Sequence, residues 1–244
     1  MTTKPAISIL SANVSSPEWA ELLIKSIRRY TIVPYEIIII DNDSVPETLS
    51  WLEAQEDVQL VKFPLNLGHG GSMDIGTRLC RSRYVCFLDI DSHIQRMGWD
   101  TELIDLYKGD PNIRMIGTRG PEWHPFIAPL FFYERDFVIH NDIYFRHISA
   151  EKTIDTAQRS YFQIKEMGHR IIRLDKGRRI YKAAGDEIYL NDLPTFFHFW
   201  NGTRYNENNP RIRKEILDGV TIEEHLESKQ KLFDEPQVRE ILKD

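Results

Sequence analysis

Cysteine is nearly absent from this sequence: Cys80 and Cys86 are the only two in 244 residues. They lack the paired spacing of a zinc site, and two thiols cannot build a disulfide framework. Cys80 falls at a helix end and Cys86 in a buried strand, so both read as reduced core residues in a cytosolic setting. Long hydrophobic runs are missing too. No stretch approaches the ~20 apolar residues that a membrane-spanning helix needs. Residues 1–5 do not have the charged start and apolar stretch of a secretory leader, so the expected location is cytoplasmic. An excess of positive charge is also missing: 31 Lys and Arg against 37 Asp and Glu leave a formal net charge of −6. That balance carries no strong nucleic-acid signature and argues against a protein whose main task is gripping a phosphate backbone, though not against one basic patch meeting a polyanion. Internal repeats and low-complexity linkers are absent as well.

What is present suits one medium α/β domain, since 41% hydrophobic and 11% aromatic residues can build a sizeable core. The first half alternates strands and helices. Ala6 to Leu10 is a short apolar strand. Ser16-Pro17 then supplies an N-cap and a first-turn proline, and Trp19, Leu22, Leu23, Ile27 and Tyr30 recur at helical spacing. Glu36 to Ile40 (EIIII) has no alternation, the mark of a strand buried on both faces. Ser44 is placed to cap a helix through Leu49 and Leu52, and Val58 to Phe63 forms a third strand. A Gly-rich turn, Asn66 to Gly71, leads into a helix ending near Cys80. Tyr84 to Leu88 (YVCFL) is a further buried strand, Trp99 to Tyr107 a helix and Arg114 to Thr118 a strand. This order predicts a mostly parallel sheet covered by helices.

The second half is less regular. Pro121 to Pro129, with three prolines, reads as a loop, and the aromatic run Phe131 to Tyr133 follows it. Thr153 to Gly168 is predicted to be helical with Gly168 as its stop. Beyond Asn206 the chain is polar and charged, with two or three short helices. The expected division is a single domain over 1–205, split near 110, and a helical appendage over 206–244.

Ligands of an open parallel sheet bind beyond the carboxyl ends of its strands. Three polar clusters stand there: Ser11-Ala12-Asn13, Asp41-Asn42-Asp43-Ser44 and Asp89-Ile90-Asp91. Gathering carboxylates at one edge is costly unless a cation or hydrogen-bond donors compensate. Asp89 and Asp91, one residue apart where a buried strand emerges, can address one Mg²⁺ or Mn²⁺ and leave positions open for phosphate oxygens. The plainer alternative is turn or cap chemistry. Asp41-Asn42-Asp43 can accept the imide N–H of a uracil or the hydroxyls of a ribose, or can simply serve a turn. No G-x-x-x-x-G-K-[ST] phosphate loop and no G-x-G-x-x-G dinucleotide turn occurs.

Four stretches, ISILSAN, EIIIIDNDS, NLGHGGSMDIG and YVCFLDID, occur in one order at compatible spacing over roughly residues 6 to 110. Together they resemble the nucleotide-binding half of glycosyltransferase family 2, which has the GT-A fold. The resemblance implies an α/β fold with a Rossmann-like nucleotide-sugar half over about 1–110, an acceptor half over 111–205 and a short helical C-terminal appendage. It implies donor contacts from Ala12, Asn13, Asp41, Asn42, Asp43, Asn66, Gly68, Asp74, Asp89 and Ile90. It also implies a metal, Mn²⁺ or Mg²⁺, on Asp89 and Asp91. The sequence departs from the family pattern at Asp74, where Asn is usual, and at Ala12-Asn13, where a Thr or Tyr turn is usual.

In the second half, the acidic residue that inverting members use as general base corresponds by position to Asp155, with Glu151 as a competitor. A carboxylate there could instead stabilise a helix N-terminus. His198, within Phe196-Phe197-His198-Phe199-Trp200, is a candidate third metal ligand, as several GT-A enzymes present a late His to the metal or diphosphate. A histidine among aromatics can also be a core residue. Arg204 could balance phosphate charge, and Trp123 and His124 could stack on an acceptor.

The expected reaction is a single in-line displacement. Asp91 helps to hold the metal that neutralises the departing nucleoside diphosphate, which is most simply a UDP. Asp155 deprotonates an acceptor hydroxyl of a saccharide, lipid-linked sugar or other molecule, and the product is inverted. Two alternatives stay open: a retaining GT-A transferase using Asp89, Asp91 and His198, and a non-catalytic nucleotide- or carbohydrate-binding module.

Overall fold

The computed structural model describes residues 4–122, 125–146, 156–180, 185–199 and 221–243. The chain begins with β1 (Ile7–Asn13), α1 (Pro17–Tyr30), β2 (Tyr35–Asn42), α2 (Pro46–Glu53), β3 (Val58–Phe63), α3 (Gly68–Leu79) and β4 (Tyr84–Leu88). These strands pair in parallel, in the order β3-β2-β1-β4. The EIIII run explains itself here. Ile37 and Ile39 point into the core under α1, whereas Ile38 and Ile40 point into a second core under α3, and all four are essentially inaccessible. Burying each such side chain stabilises the fold by roughly 1.5–3 kcal/mol.

The helix starts differ in detail from expectation. Ser16 and Pro17 do open α1, yet the Ser16 hydroxyl donates to the Val14 carbonyl and makes no cap bond. Val45, not Ser44, holds the N-cap position of α2, with Pro46 opening the helix. The Ser44 side chain is turned toward β1 and β2 instead.

After β4 the chain forms β5 (Ser92–Ile94), α4 (Trp99–Lys108), β6 (Ile113–Arg119), β7 (Phe126–Glu134) and α5 (Arg135–His140). The loop expected over 121–129 is therefore too long, because the strand is already formed at Phe126. Its residues are buried on both sides, and it lies antiparallel between β4 and β6. Proline is tolerated because the pairing with β6 jumps from Gly117↔Phe131 to Thr118↔Ile127. Pro129 sits in that excursion and has no ladder bond to lose. The remaining elements are α6 (Thr156–Glu166), β8 (Arg170–Leu174), β9 (Lys176–Ile180), β10 (Gly185–Leu190), β11 (Leu193–Phe199), α7 (Ile222–Asp234) and α8 (Pro236–Lys243). Gly168 ends the α6 segment at φ +80°, as its position predicted.

The large sheet runs β3-β2-β1-β4-β7-β6-β8, mostly parallel with β7 reversed. A second sheet, β5-β11-β10-β9, is antiparallel and had no counterpart in the sequence reading. Both cysteines are buried and free, Cys80 closing α3 and Cys86 within β4. A capping box of Thr221 and Glu224 starts α7. Leu232, Val238 and Ile241 of the last two helices join the core that contains Trp19. Among the described residues no helix is long and apolar enough to cross a membrane.

Candidate active site

The parallel register brings the three polar clusters together. Asn13 lies opposite Asp41 at the ends of β1 and β2, and β4 beside them delivers Asp89. The backbone beyond β4 is held at several points. Asp89 donates its N–H to Pro129 O at 3.2 Å, and Ser92 N–H donates back to Asp89 O at 2.9 Å, making a tight turn. The chain then enters β5, whose Ser92 and His93 pair with His198 and Phe197 of β11. Phe199 N–H donates to Asp91 O at 2.9 Å. The second sheet thus zips His198 onto the strand that follows the turn carrying the two aspartates.

His198 Nε2 lies 3.4 Å from Asp91 Oδ1 and 3.5 Å from Asp89 Oδ2. One ligand atom from each of these three residues falls within 4.8 Å of the others. Burial pushes the Asp89 carboxyl upward, and the His69 and His198 imidazoles oppose that push without cancelling it. For His198, burial works to lower the pKa, but the Asp91 and Asp89 carboxylates outweigh it and the value is raised. Among the described residues no Lys or Arg lies within ion-pair distance of Asp89 or Asp91. Asp89 Oδ1 is sealed from solvent, and His69 Nε2 stands 2.8 Å away from it. Two carboxylates and an imidazole, crowded and without a permanent cation, are the donor set that a hard divalent ion takes. The residues fit the metal.

The nucleotide-side residues divide by how their side chains are engaged. Asp41 is almost fully buried and accepts from Asn13 Nδ2 at 2.8 Å, from Ser44 N at 3.1 Å and from the Ser44 hydroxyl. Asn42 donates to Ser72 Oγ at 2.8 Å and accepts from Leu67 N at 3.3 Å, tying β2 to the Gly-rich turn. Asn66 Oδ1 accepts from Gly68 N at 2.8 Å, and Gly68 sits at φ +72°, where a Cβ would be strained. Asp43 is exposed at φ 61°, Ala12 is half-buried, and Ile90 is buried. Asn13 Oδ1 is a buried acceptor with no partner. Asp74, on α3, accepts from Phe145 N at 2.8 Å and Arg146 N at 3.4 Å.

Asp155, Glu151, Trp123, His124 and Arg204 lie outside the described residues. In the sequence His69 stands within the Gly-rich motif with nothing else local to mark a role for it. Sequence reasoning also misses Asp186, the β10 neighbour of His198 in register, which is buried and ion-paired to Lys176 at 2.7 Å. Nothing local in the sequence marks Asp186. A histidine between glycines was the only available sign for His69.

Comparisons with known proteins bear on the family and the fold. The family model for glycosyl transferase family 2 matches residues 9–150. Glycosyltransferase YwdF of Bacillus subtilis is 27% identical over 128 residues, covering 50% of this chain and 47% of that protein. A glycosyltransferase of Haemophilus influenzae is 25% identical over 122 residues, covering 48% and 38%. The chain therefore spans half or less of the length of these relatives. Among solved structures, mannosyltransferase PcManGT from Pyrobaculum calidifontis, in complex with GDP-Man and Mn²⁺, superposes with a TM-score of 0.55 at 17% identity, covering 70% of this chain and 55% of that one. S. aureus TarS 1–349 with UDP-GlcNAc gives 0.54 at 16%, covering 78% and 57%. The mixed sheet and its flanking helices are those of the GT-A fold, with small helices following at the C-terminal end. The chain belongs to glycosyl transferase family 2.

Proposed function

We propose that this chain transfers a glycosyl group from a nucleoside-diphosphate sugar to an acceptor hydroxyl, using a divalent cation at Asp89, Asp91 and His198. One observation carries the reading: the ligand atoms of these residues converge within 4.8 Å at the carboxyl edge of the sheet. Family membership and the nucleotide-sugars bound by the structural neighbours support it. When bound, Mn²⁺ or Mg²⁺ would supply charge neutralisation for the departing diphosphate.

The protein's own groups do the rest. Asn13, through its unpartnered buried Oδ1, accepts a base N–H, and Asp43 reaches the ribose. Asp41 and Asn42, whose side chains are bonded internally, hold β1, β2 and the Gly-rich turn together beneath the donor. Ala12, Asn66, Gly68 and Ile90 line the donor by backbone and contact surface, and Asp74 holds the chain at Phe145 against α3. Asp155 takes the acceptor proton in an inverting displacement. UDP is the simplest nucleotide for this acceptor, because uracil carries an imide N–H that Asn13 Oδ1 can receive.

A thermal-shift panel of nucleoside diphosphates and their sugars, with and without Mn²⁺, tests the donor. Stabilisation by a nucleotide-sugar only with Mn²⁺, followed by slow donor hydrolysis, is the expected result. Nucleotide binding without any hydrolysis would favour a binding module instead. The anomeric configuration of the product separates inversion from retention.

A further inference from the structure

We propose that His69 is a positioning residue for the cation site: it fixes one oxygen of Asp89 so that the other faces Asp91 and His198. The inference rests on reading those three residues as the cation site.

The two oxygens of Asp89 have different surroundings. Oδ1 lies 2.8 Å from His69 Nε2, and Oδ2 lies 3.5 Å from His198 Nε2. His69 is not a member of the converging cluster, so it stands behind Asp89 rather than among the ligands. The terminal torsion of an aspartate is broad, and a carboxylate near a cation loses entropy unless something else already holds it. An imidazole on the rear oxygen supplies that hold, as outer partners of metal ligands commonly do.

The His69 ring is itself fixed by the fold. It packs edge-on against Phe87, with centroids 4.8 Å apart, and Phe87 lies on β4 two residues before Asp89. On one side of His69, Gly68 completes a turn pinned by Asn66 and, through Leu67, by Asn42. On the other side, a Cβ on Gly70 would come within 2.4 Å of Phe145 O, so bare backbone is pressed against the 145–146 segment there. The ring's origin cannot drift far. His69 therefore couples the Gly-rich turn to the geometry of the cation site.

The test is Mn²⁺ titration of the full chain, followed by the electron paramagnetic resonance of free Mn²⁺, with no donor or acceptor present. His69→Phe keeps the ring against Phe87 and removes the nitrogen; His69→Gln keeps an N–H donor. Asp91→Asn is the control for the site itself. We expect His69→Phe to weaken Mn²⁺ binding about 10- to 100-fold and His69→Gln to recover part of it. If His69→Phe does not fold, His69→Gln against wild type still decides, since it should bind within a few-fold and His69→Ala should not. Wild-type affinity in His69→Phe, with binding lost in Asp91→Asn, overturns the role of His69 and leaves the cation site standing. A wild-type protein that binds no Mn²⁺, or an Asp91→Asn variant that binds it equally well, overturns the site and this inference together.

Discussion

Asp74 Oδ1 accepts the backbone N–H of Phe145 at 2.8 Å, joining α3 to the segment that follows α5. Its second oxygen accepts from Arg146 N, and Gly70, one turn earlier, lets the same backbone approach. Losing the carboxylate would strand two N–H donors. Asp74→Ala should cost about 1–3 kcal/mol in urea unfolding. Gly70→Ala, whose methyl would meet backbone rather than a flexible side chain, should cost a similar ~1–3 kcal/mol. Unchanged midpoints in both variants would mean that this contact contributes nothing to stability.

Asp91 and His198 should be needed for chemistry but not for folding. Replacing Asp91 by Ala is expected to lower donor turnover more than about a hundredfold, because a cation contributes several kcal/mol of charge stabilisation. His198→Ala should lower it less and raise the Mn²⁺ concentration needed for half-maximal rate. Circular dichroism should show both variants folded. Full activity in Asp91→Ala would remove the metal role.

His225 on α7 gives a pH prediction. It is buried edge-on against Phe199 with centroids 4.9 Å apart. Burial lowers its pKa from 6.5 to about 4, with the Asp91 charge opposing. The unfolded chain takes up this proton below pH 6.5, whereas the folded chain resists until about 4. The contribution to stability is complete above 6.5 and is lost as the pH falls through that window, at about 1.4 kcal/mol per pH unit. His225→Phe should unfold with a shallower pH dependence between 6.5 and 4. Parallel stability profiles would show that the native state protonates His225 freely.

Glu36 joins three pieces of chain. Its Oε1 accepts from Ser8 Oγ at 2.5 Å and Arg81 N at 2.7 Å, and its Oε2 accepts from Arg81 Nε at 2.6 Å. Burial raises its pKa, but these donors outweigh it and the net shift is downward. Its stabilisation is therefore present above the usual carboxyl pKa and lost as the pH drops below it. Glu36→Gln should cost about 1–3 kcal/mol at pH 7 and much less near pH 3, measured by thermal unfolding at both. An equal cost at both pH values would exclude a role for the charge.

The first half of the fold was legible because its signals are local. The Ile37–Ile40 run and YVCFL are short, β-branched or aromatic apolar runs bounded by polar turns, which favours strands covered on both sides, and the α1 periodicity spans one element. Two aspartates one residue apart at a strand end also carry their meaning within three residues. Ser44 misled because a serine before Pro46 looks like a cap, whereas its hydroxyl serves Asp41 and Ser15 across β1 and β2. The Phe126 strand was hidden by its proline, which only the register jump against β6 makes harmless.

By itself, then, the chain determined the order of its elements as far as β4 and the acidic pair beyond it, since both follow from side-chain periodicity and neighbour spacing. Tertiary structure alone decided that His198 meets that pair and that His69 stands behind Asp89. Each depends on pairing or packing between segments far apart in sequence, and such contacts leave no periodic trace in either segment.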